Sequence, residues 1–437
     1  MKIALVHDFL REYGGAERVV EALHELWPEA PLYTAFVDWE ALGSHAYRFK
    51  NWDIRPSWVQ HNWLVKKFHS PLRFLAPDVW GSFDLSGYDV VISSSGWFMC
   101  RGVNTGRAKV SVPWFSRRQG PDLFSLHDRT TAKAVTALKT THLPAYRHGP
   151  LHICYIHHPP RNLYGYATGS NLQKYWPVRV YTTIINFFLR HYDFATAQKV
   201  DYFVANSKET AKRVTKFYRR DSTVIYPPVD VSVTSDKQHA TSQKQNMSHV
   251  PGHMSQSDYF LSVGRLTYSK RIDLAIIACN KLKLPLKIVG KGKEETYLRS
   301  IAARPPSADA EGAAGWSPTI EFIGGVSDAE LSKLYAGARG FIFCALDEDF
   351  GMVPVESMAH GVPVIALGQG GVLETVIDGK TGVLFKDATT ESLETALKKF
   401  MRMKKDWSRD CVAQAKKFSK ENFQNAFKKF VDDKFFE

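Results

Sequence analysis

A chain of 437 residues is too long for one typical core, so two domains are expected. Its 44% apolar content is that of a globular chain, and a net charge of +13 favours phosphate groups, nucleic acid or an anionic membrane as partners without choosing among them. The scattered cysteines (Cys100, Cys154, Cys279, Cys344 and Cys411) have neither a disulfide-framework nor a metal-ligand spacing, which points to reduced thiols and a cytoplasmic protein.

The opening "MKIALVHDFL" reads as a strand rather than a signal peptide, and no apolar run approaches the roughly 18 residues needed to span a membrane. "AERVVEALHELW" follows as a helix, with Val19, Val20, Leu23, Leu26 and Trp27 on one face. "YDVVISSS" and "LHICYIHH" are buried strands, and "DYFVANSKETAKRVTKFY" is strand, turn and helix with Ser207 as the cap. From 231 to 257 the chain is Ser, Gln, His and Lys with little apolar content, the composition of a linker or a disordered insertion. A second set of short apolar runs follows: "YFLSVGR", "LKIVGKG", "IEFIGG", "GFIFCAL" and "PVIALG". Runs of four to six apolar residues suit parallel strands covered on both faces. Residues 303–318 read as a surface insertion, and "FSKENFQNAFKKFVDDKFF" as a basic amphipathic helical end. The fold class expected is α/β: two Rossmann-like parallel-sheet domains facing across a cleft, with 1–230 the first, 231–257 the linker, 258–408 the second, and 409–437 packing back on the first.

Four stretches carry candidate chemistry. In "DFLREYGGAER", Gly14 and Gly15 turn a strand into a helix whose free N–H groups suit phosphate, although G-x-G-x-x-G is absent. In "SVGRLTYSKRID", Arg265 and Lys270 follow a strand and could clamp a diphosphate; Lys270 and Arg271 are adjacent, so at most one faces the cleft. In "ICYIHHPPRNLYGY", one histidine and Arg161 stand at a strand's carboxyl end, the usual place for a ligand in an open α/β sheet. His152, His157 and His158 make a poor zinc set because strand side chains alternate, so no metal site is expected. In "GFIFCALDEDFGMVPVESMAHG", Glu348 lies in a loop and Glu356 on the helix after it, with the N–H groups of Phe350, Gly351 and Met352 between them. Carboxylates so spaced suit the vicinal hydroxyls of a sugar or ribose, while Asp347 and Asp349 read as charges of an ordinary polar loop.

In order along the chain these stretches resemble the retaining glycosyltransferases of family 4 (group 1), which have the GT-B fold. The likeness is densest in "GRLTYSKRID", "LKIVGKG", "IEFIGGVSDAELSKLYAGA" and "EDFGMVPVESMAHGVPVIALGQGGVLETVIDGKTGVLF", where Glu348 and Glu356 form that family's E-x7-E pair. "VHDFLREYGGAER", "LSGYDVVISSS" and "CYIHHPPR" look like its mannosyltransferase branch, with Gly96–Trp97 and "HHPPRN" departing from that branch on the acceptor side. The resemblance implies a metal-independent hexosyltransferase using a nucleotide sugar, best guessed as GDP-mannose, and no other cofactor. Arg265 and Lys270 would hold the diphosphate, Glu356 the ribose, and Glu348 with the backbone of Phe350, Gly351 and Met352 the transferred sugar. Gly14 and Gly15 would admit the β-phosphate and acceptor, and His157 would lie beside the sugar. The acceptor would be a glycan or a lipid-linked glycan of surface polysaccharide assembly.

Arg48–Trp80 interleaves tryptophan and phenylalanine with lysine and arginine, which suits peripheral docking on the anionic inner face of the cytoplasmic membrane, or equally a core helix pair with a solvated basic face. Within enzymes, a GT-B nucleotide-sugar epimerase or phosphorylase is the alternative. Outside them stand a basic nucleic-acid-binding protein and a silent membrane scaffold. No nucleic-acid module is evident, so no specific nucleic acid is expected as a partner.

Overall fold

A computed structural model of the chain describes residues 1–106, 149–168, 175–231, 259–305 and 319–437. Residues 232–257 of the expected linker and 306–318 of the expected insertion lie outside them.

The first sheet holds β1 (Ile3–His7), β2 (Leu32–Thr34), β3 (Ile54–Pro56), β4 (Val90–Ser95), β5 (Leu151–Ile156), β6 (Tyr202–Ala205) and β7 (Ser222–Val224), in the order β3-β2-β1-β4-β5-β6-β7. The second holds β8 (Phe260–Val263), β9 (Leu286–Val289), β10 (Ile320–Gly324), β11 (Gly340–Phe343), β12 (Val364–Leu367) and β13 (Gly382–Phe385), in the order β10-β9-β8-β11-β12-β13. Among the described residues every strand pairing is parallel, as expected of apolar runs whose helical crossovers cover both faces. These are two Rossmann-like domains, the fold class read from the sequence. In each sheet the strand order reverses at one crevice, between β1 and β4 and between β8 and β11. Ligands of open α/β sheets bind outside the carboxyl ends at such a crevice.

Helix α1 (Gly15–Leu26) buries Val19, Val20 and Leu23 against β1 and β4. Further helices of this domain include α2 (Trp63–Lys67), α3 (Trp176–Ala197) and α4 (Lys208–Tyr218). Ser207 caps α4 by accepting from the Thr210 N–H at 3.0 Å, as the sequence predicts. The β-branched and aromatic residues of α3 are poor helix formers, so propensity alone does not announce it. Pro177 at its start supplies a fixed φ where an N–H has no partner to lose.

Among the helices of the second domain, α5 (Met352–Ala359) follows β11. Near the end of the chain come α6 (Ser408–Ala415) and α7 (Lys420–Phe436). Cys411, Ala415 and Phe418 join the core of the second sheet, whereas Phe423, Phe427 and Val431 join that of the first. The chain therefore recrosses at Ser419, where a bridge pairs it with Val229.

Arg48–Trp80 is not one surface. Trp80 and Phe49 are fully buried, and the Trp80 indole donates to the Phe98 carbonyl at 2.6 Å. Trp52 stacks on His24 with 3.7 Å between centroids, and buried Arg73 donates to Asn186 Oδ1 at 2.6 Å. Arg48 is held by Glu21 at 3.1 Å and by Asp328 of the second domain at 2.9 Å. Of its tryptophans and phenylalanines, Trp58, Trp63 and Phe68 are exposed. Composition counts the aromatics of this segment alike; packing divides them.

Candidate functional site

After β8 the chain turns at Gly264, whose φ of +153° favours glycine, and passes Arg265 into the single turn Tyr268–Lys270. The Ser269 carbonyl accepts from the Leu346 N–H at 2.8 Å, which ties this loop to the one after β11. Lys270 Nζ thereby lies 2.7 Å from Glu348 Oε2 and over the Phe343 ring at 5.3 Å. Arg271 turns away to Asp273 at 3.0 Å, so of the two adjacent cations Lys270 meets the loop carboxylate.

The loop itself is constrained. Asp347 has φ +52°, an uncommon left-handed conformation for a residue with a Cβ, and its carboxylate accepts from the Ala167 N–H at 2.9 Å. The Glu348 carbonyl accepts from the Gly371 N–H at 2.9 Å. Gly351, with φ +87°, opens α5, and Glu356 stands on its inner face. Burial raises the Glu348 carboxyl, but the Lys270 and Arg161 charges outweigh it and hold the group below the usual glutamate range.

Glu356 is buried, accepts from the Tyr335 hydroxyl at 3.1 Å, and pairs with Arg18 of α1. Burial first and the Glu356 charge second raise Tyr335, which keeps its proton and donates it. The Gly14–Gly15 turn faces the same place: a Cβ on Gly15 would lie 2.7 Å from Met352 Sδ. Arg265 crosses to Glu12 at 2.7 Å and is largely exposed. Gly15, Arg265, Lys270, Glu348, Met352 and Glu356 thus converge where the two crevices face each other, and Gly14, Phe350 and Gly351 adjoin them.

Asp349 corrects the sequence reading of an ordinary loop charge. It is only 7% exposed and accepts from Arg161 and, at 2.5 Å, from Arg213 Nη1 of α4. Arg161, expected on the acceptor side, is held here against the other domain. Burial raises Asp349, but Arg161, His158 and Arg213 together hold it below its usual value. Glu374 makes a second crossing, accepting from the Lys208 and Glu209 N–H groups at the start of α4 at 2.9 and 3.0 Å.

His157 points inward and shares a 2.8 Å hydrogen bond with Ser94 Oγ. Ser94 Oγ is 3.2 Å from His7 Nδ1, His7 Nε2 is 3.5 Å from Glu17 Oε1, and Glu17 accepts from the Gly14 N–H at 2.9 Å. Burial, then the charges of His7 and His158, push His157 well below the usual histidine value, so it is neutral at pH 7. His152 instead packs in the core, its Nε2 2.9 Å from Ser93 Oγ. Asp8 accepts from the N–H groups of Gly96, Phe98 and Cys100 at 2.9–3.0 Å, shaping the loop after β4. Trp97 of that loop packs against Phe9 and His69, with centroids 5.8 and 5.7 Å apart, an aromatic wall beyond the carboxyl ends of β1 and β4.

Sequence reasoning missed Arg18, Glu17, Ser94, Asp349 and Gly371. Glu17 three residues past Gly14 is a helix-start signal, and paired glycines after β12 mark a close approach. Nothing local marks Arg18.

Residues 73–233 match the family model "Glycosyltransferase Family 4" and residues 243–418 the model "Glycosyl transferases group 1". The chain is 28% identical over 244 residues to the D-inositol 3-phosphate glycosyltransferase of Nocardioides sp., a match covering 52% of each. It is 28% identical to the alpha-1,3/1,6-mannosyltransferase ALG2 of Dictyostelium discoideum, over 42% of this chain and 49% of that one. The chain spans about half the length of these curated relatives. Among solved structures, Anabaena Alr3699/HepE in complex with UDP superposes with a TM-score of 0.62 at 15% identity, covering 99% of this chain and 100% of that one. The sucrose-phosphate synthase of Thermosynechococcus elongatus has a TM-score of 0.62 at 14% identity, covering 100% and 99%. At such identities the likeness establishes the fold.

Proposed function

Because the chain belongs to the GT-B glycosyltransferases of family 4 and group 1, we propose that it moves a hexose from a nucleotide sugar, GDP-mannose in the first instance, to a glycan or lipid-linked glycan with retention of configuration. The observation that carries this reading is the pairing of Lys270 with Glu348 at 2.7 Å, with Glu356 one helix further on facing the Gly14–Gly15 turn. The mannosyltransferases among the relatives support the sugar, while UDP in the HepE complex makes UDP-sugars the competing donors.

Arg265 and Lys270 receive the diphosphate, where negative charge grows as the glycosidic bond breaks. Fixed cations there stabilise departure more than binding, so they act on the chemical step. Glu356 takes the ribose hydroxyls. Glu348 and the N–H groups of Phe350–Met352 take the sugar as it becomes oxocarbenium-like. Neutral His157, fixed by Ser94, lies on the sugar's other side and accepts or donates a hydrogen bond without adding charge. The departing phosphate accepts the acceptor's proton on the same face, so neither a protein base nor a metal is required. Gly14 and Gly15 leave room for the β-phosphate, and the walls at Arg161 and Trp97 bound the acceptor side.

Thermal shift across GDP, UDP and their sugars tests the donor. A ligand bound only to the folded state at a hundredfold excess over its dissociation constant stabilises by about 2.7 kcal/mol. Product NMR after chelator treatment tests the chemistry. No shift with any nucleoside diphosphate, an inverted product, or activity restored only by a metal would each defeat the corresponding part.

A further inference from the structure

Helix α3 has two apolar faces. Ile185, Phe188, Leu189 and Tyr192 pack into the core beneath it. On the other side Trp176, Val180, Ile184 and Phe187 follow one another at helical spacing and are 51–70% exposed. At 1.5 Å per residue this stripe runs roughly 16 Å. A helix apolar on both sides is ordinarily buried, and a large exposed patch marks a contact surface.

Helix α2 lies beside it. The Tyr181 hydroxyl donates to the Pro71 carbonyl and Arg73 bonds Asn186, so the turn after α2 is fastened to α3. On α2 itself Trp63 and Leu64 are exposed, and Phe68 follows them. Lys67 Nζ lies over the Trp63 and Phe68 rings at 5.9 and 5.7 Å.

The charges on this surface have one sign. Residues 63–70 hold Lys66 and Lys67 and no carboxylate, whereas Arg55 before them pairs with Asp53 at 2.7 Å and Arg73 after them is buried. Residues 175–200 hold Arg179, Arg190 and Lys199 against Asp193, which is fully buried on Arg101. Among the described residues, the ion pairs include none to Lys66, Lys67, Arg179 or Arg190. A second copy of the chain meeting this surface through a two-fold axis would set these cations against their own images. An anionic headgroup layer neutralises them, and its acyl boundary takes the tryptophan and phenylalanine rings.

We propose that the outer face of α3, with α2 beside it, seats the protein on an anionic lipid bilayer. The surface leads to the cleft. His69, next to Phe68, is 5.3 Å from Phe9 and 5.7 Å from Trp97, both beyond the carboxyl ends of β1 and β4. A lipid-borne acceptor held in the bilayer would then meet the aromatic wall without leaving the surface. This purpose rests on the glycosyltransferase reading; the docking itself does not.

Flotation of the full chain with phosphatidylcholine vesicles, with and without phosphatidylglycerol, tests it. Binding is expected to the phosphatidylglycerol vesicles and to fade with salt, as the Debye length falls from about 8 Å at physiological ionic strength to about 3 Å at 1 M. Ile184→Ser with Phe187→Ser should lower partitioning at least roughly tenfold, since two large apolar side chains are lost from the contact. Lys67→Gln with Arg179→Gln should lower it roughly tenfold at low salt and little at high salt. Thermal shift by GDP and UDP, measured on the same samples, should be equal in all variants, which separates failed docking from a failed enzyme assignment or a failed fold. The proposal is overturned if the unaltered chain ignores both vesicle types or binds them equally at all salt concentrations. It is likewise overturned if the Ile184→Ser, Phe187→Ser variant partitions like the unaltered chain, or if the chain sediments as a dimer that this variant splits.

Discussion

Replacing Asp349 by asparagine tests whether the two domains are held together at the loop after β11. The amide would keep the shape of the side chain but lose its charge and present an NH2 group to one of the two arginines. In the native protein Asp349 is 7% exposed and bonds Arg161 and Arg213, each side-chain contact crossing from the first domain to the second. A hydrogen bond to a charged group is worth about 1.5–3 kcal/mol, and removing one partner of a buried ion pair costs about 3–5 kcal/mol. Arg213 retains Glu209 at 3.2 Å and the Tyr166 ring at 4.2 Å, and Arg161 is part-exposed, so neither cation is left bare. The lower figure applies, about 3 kcal/mol, or a shift of roughly a hundredfold in the balance between closed and open arrangements. Because the contacts join the domains and do not build either core, the loss should appear in their relative position. Small-angle scattering with saturating nucleotide should give a larger radius of gyration for Asp349→Asn, and kcat should fall. The unfolding midpoint of each domain should change little. A cycle with Arg213→Met should show a coupling of about 0.5–3 kcal/mol. Unchanged scattering and turnover, or one cooperative loss of thermal stability, would refute the reasoning.

Glu356→Gln should raise the donor KM by roughly ten- to 150-fold with kcat little altered, whereas Glu348→Gln should lower kcat while calorimetric donor affinity stays within a few-fold; the opposite pattern reverses their roles. Gly371→Ala places a Cβ 2.2 Å from the Asp349 carbonyl oxygen and 2.4 Å from Phe350 Cα, both backbone, so the loop must move. That overpacking costs about 1–3 kcal/mol and should depress kcat with the far-UV circular dichroism spectrum unchanged. For pH, Asp349 is held below its ordinary 3.8, so its contribution to stability is fully present above that value and is lost as pH falls through the folded-state value. His157, buried neutral, acts earlier: its depressed pKa means the unfolded chain takes the proton first, so stability begins to fall as pH drops below the ordinary 6.5. His157→Gln should flatten the upper part of a melting-temperature profile and leave the acid limb in place.

The alternation of apolar runs and amphipathic segments was enough to read two parallel α/β domains, because both periodicities are local and both faces of each sheet must be covered. The placing of Glu348 in a loop and Glu356 on the following helix was legible for the same reason: strand, turn and helix follow within one short stretch. The three-residue strands β2, β3 and β7 were not legible, since three residues are too few to establish a period and their pairing comes from a neighbour. Nor was α3, whose residues favour strands locally and become helical when Leu189 and Tyr192 find the core. The aromatics of Arg48–Trp80 could be sorted into buried Trp80 and exposed Trp63 only by the packing around them. The ion pairs at the cleft lie furthest from any local signal. Arg18 and Glu356 are 338 positions apart and Arg161 and Asp349 are 188 apart, and a charge carries no mark of its partner until two domains set their carboxyl-end crevices face to face.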